Sequence, residues 1–252
     1  MRSFLRSIVP ALVLTALVVA LGALSAGAVE RGGGKNAKVF STGGGDRKPA
    51  CSKKPKGFCT ALPSMTVFTN QADNKKNPFV APSDGRIVAW AIELGHKPSN
   101  KTPPGSGDDT KSNLEFFQDL FGNEKYGNGP VARLAILKRQ GSGIEFKLTD
   151  QSPAVKLTGP FYHADTVITL DRPMPIKKGE IVGLTSLTWV PTVLPKSMGG
   201  GEAGWRASMK KNQGCTESNQ IEAKPQKKIG TIREYGCKFD ARLFYKAYFV
   251  PN

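Results

Sequence analysis

The stretch Ile144-Glu145-Phe146-Lys147-Leu148-Thr149 sets Ile144, Phe146 and Leu148 on one face and Glu145, Lys147 and Thr149 on the other. A side-chain period of two is that of a β-strand with one face buried. Outward from it, similar short runs recur at Met65 to Thr69, Arg86 to Leu94, Val131 to Arg139, Thr166 to Leu170, Glu180 to Leu184, Leu187 to Leu194 and Arg242 to Val250. In the last of these, Leu243, Tyr245, Ala247 and Phe249 share a face. Turn residues such as Pro82-Ser83-Asp84-Gly85 separate the runs. Roughly eight to ten short strands with this punctuation predict an all-β fold, an antiparallel and jelly-roll-like β-sandwich.

Residues 95–129 break the pattern. Pro98, Pro103, Pro104, Gly105 and Gly107 are followed by Asn113-Leu114-Glu115-Phe116-Phe117-Gln118-Asp119-Leu120-Phe121-Gly122. The second half predicts a short helix ended by Gly122. Its aromatic residues are expected to pack against the sheet, because an apolar helix face is normally buried.

The start of the chain has the order of an export signal. Arg2 and Arg6 precede an apolar run from Ile8 to Leu24, and Ala26-Gly27-Ala28 gives a small-x-small cleavage pattern. A retained N-terminal anchor is the competing reading, although the run is short for a spanning helix. Cleavage after Ala28 leaves 252 − 28 = 224 residues and lowers the formal charge from +16 to +14, since Arg2 and Arg6 depart. Residues 29–50 hold Gly32-Gly33-Gly34 and Gly43-Gly44-Gly45 among polar residues and read as a flexible arm. Residues 51–252 are then expected to form one domain, secreted and free of further spanning segments.

Cys51, Cys59, Cys215 and Cys237 are an even set in a chain with an export signal, which argues for disulfides. They admit three pairings, and proximity in sequence favours Cys51 with Cys59 and Cys215 with Cys237. No C-x-x-C occurs, and His96 and His163 lie far from any cysteine in sequence, so neither a metal site nor a cofactor is expected.

Two further segments belong together. One is Ala81-Pro82-Ser83-Asp84-Gly85-Arg86-Ile87-Val88-Ala89-Trp90, and the other runs from Leu170 to Leu184 through Met174-Pro175-Ile176-Lys177-Lys178-Gly179-Glu180. Their order resembles that of exported bacterial β-sandwich proteins of unknown function. The resemblance spans residues 62–190, implies a secreted sandwich, and carries over no catalytic residue. The insertion at 95–129 and the tail after Leu194 depart from that pattern.

The chemistry-bearing motifs are few. Gly141-Ser142-Gly143 is no nucleophile elbow, and no metal-binding helix motif occurs. Asp84, Glu93, Asp108, Asp109, Glu145 and Asp165 are the candidate carboxylates for glycoside cleavage, which needs a pair at a fixed spacing. Charge is the stronger signal. Lysine doublets recur at 53–54, 75–76, 177–178, 210–211 and 227–228. An excess of positive charge attracts polyanions, while the plainer role of such lysines is solubility and protection of sheet edges. No aromatic residues interleave with them as in a nucleic-acid module.

The segment from Lys196 to Cys215 combines Gly199-Gly200-Gly201 with Trp205, Arg206, Lys210 and Lys211. Trp205 is expected either to stack on a sugar ring beside these cations or to plug one end of the sandwich. The leading expectation is a non-catalytic binder of an anionic cell-wall polymer or polysaccharide. The alternatives are an envelope-modifying hydrolase and a structural or toxin-like secreted interaction protein.

Overall fold

A computed structural model of the chain describes residues 37–43, 45–51, 59–97, 113–162 and 164–252. The expected signal, residues 1–28, lies outside the described residues, as do Lys53-Lys54, Asp108, Asp109 and His163. The fold is antiparallel and all-β, a sandwich with one short helical insertion.

The strands are, in order, β1 (Lys38–Ser41), β2 (Thr66–Ala72), β3 (Lys75–Lys76), β4 (Gly85–Ile92), β5 (Val131–Arg139), β6 (Glu145–Gln151), β7 (Val155–Lys156) and β8 (Thr166–Ile176). They continue with β9 (Ile181–Ser186), β10 (Val193–Pro195), β11 (Ala203–Ala207), β12 (Ile232–Glu234), β13 (Cys237–Phe239), β14 (Ala241–Leu243) and β15 (Tyr245–Pro251). One sheet has the order β1-β15-β4-β8. The other runs β12-β6-β5-β9-β2-β11-β13, with β3 on β2 and β7 on β5, and β10 pairs with β14.

The core lies between the inward faces. Leu243, Tyr245, Ala247 and Phe249 are all buried, as the alternation requires. Tyr245 stacks on Phe79 at 4.3 Å and donates its hydroxyl to the Val182 carbonyl of β9, tying the smaller sheet to the larger. Phe68, Phe146 and Tyr235 form an aromatic triad with centroids 4.8–5.5 Å apart.

Three expectations are corrected. The arm expected over 29–50 is not a free arm throughout. From Lys38 it forms β1 against β15, and Phe40 is buried on Phe249 with centroids 5.4 Å apart. One buried aromatic and a strand's hydrogen bonds outweigh the glycines that flank them. The strand expected over Leu187 to Leu194 survives only as β10. Before it, the Thr188 hydroxyl donates to the Gly129 carbonyl and the Thr192 hydroxyl to the Glu93 carbonyl, so side chains take part of a ladder's role around Pro191. The run from Arg242 to Val250 is split at Phe244 into β14 and β15, each in a different sheet.

Helix α1 (Asn113–Phe121) forms as expected, with the Gly122 amide donating to the Gln118 carbonyl at 2.8 Å. A Cβ at Gly122 would lie 2.2 Å from that carbonyl oxygen, which fixes glycine there. Phe117 is buried and stacks on Trp189 at 5.2 Å.

Candidate basic groove

Trp205 and Arg206 lie in β11, an interior strand between β2 and β13. Trp205 is 4% exposed, and Phe239 covers its ring at 4.4 Å. The sugar-stacking expectation for Trp205 is therefore corrected: its indole is part of the core. Arg206 is half-buried and donates to the Tyr235 carbonyl at 3.1 Å. The triple glycine is tied down as well. Arg242, fully buried, donates to the Gly200 carbonyl at 2.9 Å and to Asp73 at 2.6 Å, and Arg47 donates to the Gly199 carbonyl. Gly200 is required because a Cβ there would meet the Leu194 carbonyl oxygen at 2.3 Å.

Lys210 and Lys211 are exposed, and they stand beside a feature that the sequence reading did not single out. The segment from Lys210 to Tyr235 folds back over the larger sheet. The disulfides are Cys51–Cys59 and Cys215–Cys237, the expected pairing, and the second fastens this segment to the start of β13. Thr216 caps the short helix α2 (Glu217–Ile221) by accepting from the Asn219 amide.

The decisive residue is Gln226. It is fully buried within Lys224-Pro225-Gln226-Lys227-Lys228, where Pro225 is buried beside it and the three lysines are exposed. Its backbone N–H donates to the Thr66 hydroxyl at 2.9 Å, its side-chain amide donates to the Thr231 carbonyl at 2.7 Å, and its side-chain oxygen accepts from the Tyr235 hydroxyl at 2.8 Å. Burial pushes the Tyr235 hydroxyl far above its ordinary pKa, so it is a lasting donor to Gln226. A buried amide with its bonds satisfied costs little, whereas one left unpaired would be expensive. Gln226 thus pins the loop to the sheet while Lys224, Lys227 and Lys228 turn outward.

Two neighbouring cavities result. The first, about 440 Å³, is lined by Lys224, Lys227, Lys228 and Arg233 with Ser64, Asn123 and Thr231, and no carboxylate lines it. The second, about 590 Å³, shares Lys224 and Arg233, adds Lys210, and includes Glu145, Glu222 and Glu234. Arg233 donates to the Lys224 carbonyl, which holds the shared wall. Lys210 is thereby brought to the second cavity, while Trp205, Arg206 and Lys211 line neither.

The other charged groups are used elsewhere. Asp84 accepts from the Lys178 amide at 2.8 Å and from the Lys177 ammonium at 3.1 Å, and those two donors hold its carboxyl below the usual range. This bond joins the two segments quoted above, whose strands β4 and β8 pair directly. Glu93 and Asp165 line one cavity of about 230 Å³, but Lys48 takes up Glu93 at 2.8 Å and Lys246 takes up Asp165. Both carboxylates are ion-paired. Among the described residues, no cluster of three His, Cys, Asp or Glu side chains could hold a metal ion.

Compared with protein-family models, with curated proteins and with solved structures, the chain has no match.

Proposed function

We propose that this is an exported binding protein that captures an anionic envelope polymer or polysaccharide in the groove formed by Lys224, Lys227, Lys228 and Arg233. The observation that carries the reading is a cavity lined by four basic residues and no carboxylate, its wall itself largely apolar, with its loop held by the buried Gln226. Clustered cations without compensating acids create a local positive potential that attracts polyanions. Export is supported by the leader pattern and by two disulfides, which persist in oxidising compartments. Among the described residues no helix is long and apolar enough to cross a membrane. The resemblance to exported β-sandwich proteins belongs to the same proposal.

For the alternative hydrolase reading, Glu93 and Asp165 are ion-paired, and Glu145 is the candidate carboxylate that lines a cavity with other acids, Glu222 and Glu234. The test is retention on cell-wall fractions by the purified protein and by a Lys227→Gln/Lys228→Gln variant. Exposed lysines contribute little to stability, so the variant should keep its melting temperature and lose most of its retention. Undiminished retention would overturn the groove as the binding site.

A further inference from the structure

Beside the basic cavity lies a second groove, in which aliphatic side chains stand with Asp150, Asp171 and Arg172. It is about 520 Å³ and runs between β8 and the chain leading from β6 to β7. Val155, Ile168, Leu170, Met174 and Ile229 line it. Val155, Ile168 and Leu170 pack against the core yet remain partly exposed, and Ile229 is 49% exposed. β8 is the outermost strand of its sheet, with no strand paired beyond it among the described residues.

The groove and the basic cavity are joined by covalent and hydrogen-bonded neighbours. Ile229 of the groove follows Lys228 of the cavity in the chain. Gln151 lines the groove and donates its side-chain amide to the Lys227 carbonyl at 3.0 Å. The acids of the groove are Asp150 and Asp171, and Asp150 is within 3.8 Å of Arg172. An anion is attracted to Lys227 and Lys228, while beyond Ile229 the wall offers aliphatic surface from Val155, Ile168, Leu170 and Met174 together with Asp150, Asp171 and Arg172.

We propose that this paired site binds a single-chain anionic lipid, its head group between Lys227 and Lys228 and its aliphatic chain in the groove. The proposal rests on the reading of the lysines as an anion site and adds the apolar half of the ligand. Aliphatic burial is non-directional and grows with chain length, and the lysines contribute screened attraction to the head group.

Calorimetric titration of the purified protein with lysophosphatidylglycerol below its micelle concentration tests it. Binding should tighten with acyl length, by up to roughly fourfold per methylene that is fully buried. Lysophosphatidylcholine of the same length, and the Lys227→Gln/Lys228→Gln variant, should each bind about tenfold more weakly. Leu170→Glu should abolish the length dependence, and Ile229→Ser, at an exposed turn, should reduce it without disturbing the fold. Inorganic polyphosphate serves as the head-group-only probe. If polyphosphate binds and the lysolipid shows no length dependence, the groove is not a lipid site and the polyanion reading stands alone. If the protein binds phosphatidylglycerol vesicles but no monomeric lysolipid, the inference of a single bound lipid is overturned. If none of these probes binds, both proposals fail.

Discussion

At the scale of single residues, a side chain's surroundings decide between structural and binding roles that its type leaves open. Trp205 and Gln226 exchange the roles their types would suggest. The tryptophan, an aromatic among cations, is core. The glutamine, a polar residue among lysines, is the anchor of the candidate site. Trp205→Ala should therefore cost about 3–5 kcal/mol. In a domain of this size that lowers the melting temperature by on the order of 10 °C. Calorimetry checks this, and an unchanged melting temperature would place the indole outside the core after all. Asp84 offers a pH test. Its folded carboxyl titrates below the ordinary 3.8, so its contribution is present above that value and fades as pH falls through the lower, folded one. Asp84→Asn should flatten the loss of stability measured by thermal melts between roughly pH 4 and 2, and an unaltered pH profile would rule this carboxylate out as a contributor.

At the scale of elements, legibility tracked pattern length and local chemistry. Val131–Arg139 was readable to the residue because it is a long, buried run entered by a proline. The disulfide pairing favoured by the export signal, the even cysteine count and proximity in sequence is the one present. β1, β12 and β13 were not readable, since runs of three or four residues show no period, and their pairing depends on strands distant in sequence. The basic groove was half legible. The 227–228 doublet stood out as charges, but nothing in Lys224-Pro225-Gln226 announces that Gln226 turns inward. That requires Thr66, Thr231 and Tyr235, which converge only in the fold. The Cys215–Cys237 bridge holds this element, spanning 22 residues. By the loop-entropy model it contributes about 3 kcal/mol. Cys215→Ser/Cys237→Ser should lose amide protection over 211–234 in hydrogen exchange while β5 stays protected. Equal loss in both regions would make the bridge a global staple rather than a clasp of the groove.

At the scale of the whole molecule, the question is how a chain with a formal charge of +16 uses its excess. The doublets are not equivalent. Lys177 is paired with Asp84, and Lys75–Lys76 form β3 at the margin of the larger sheet, where exposed lysines discourage further pairing. If capture depends on general charge, any two lysines matter alike; if it depends on the groove, only those lining it do. Duplex DNA is a suitable probe because its charge spacing is fixed and its sequence is irrelevant to a site that reads charge alone. For such a polyanion the logarithm of affinity falls with the logarithm of salt by about 0.9 for each phosphate neutralised. The cations Lys224, Lys227, Lys228 and Arg233 predict a slope of about −3.6 on that basis. Lys227→Gln/Lys228→Gln should halve it to about −1.8, whereas Lys75→Gln/Lys76→Gln should leave it unchanged. Two duplexes of different sequence should give the same slope. Equal effects of the two double substitutions, measured by fluorescence anisotropy across a salt series, would mean that the positive charge acts as a diffuse field and that the groove has no special part in binding.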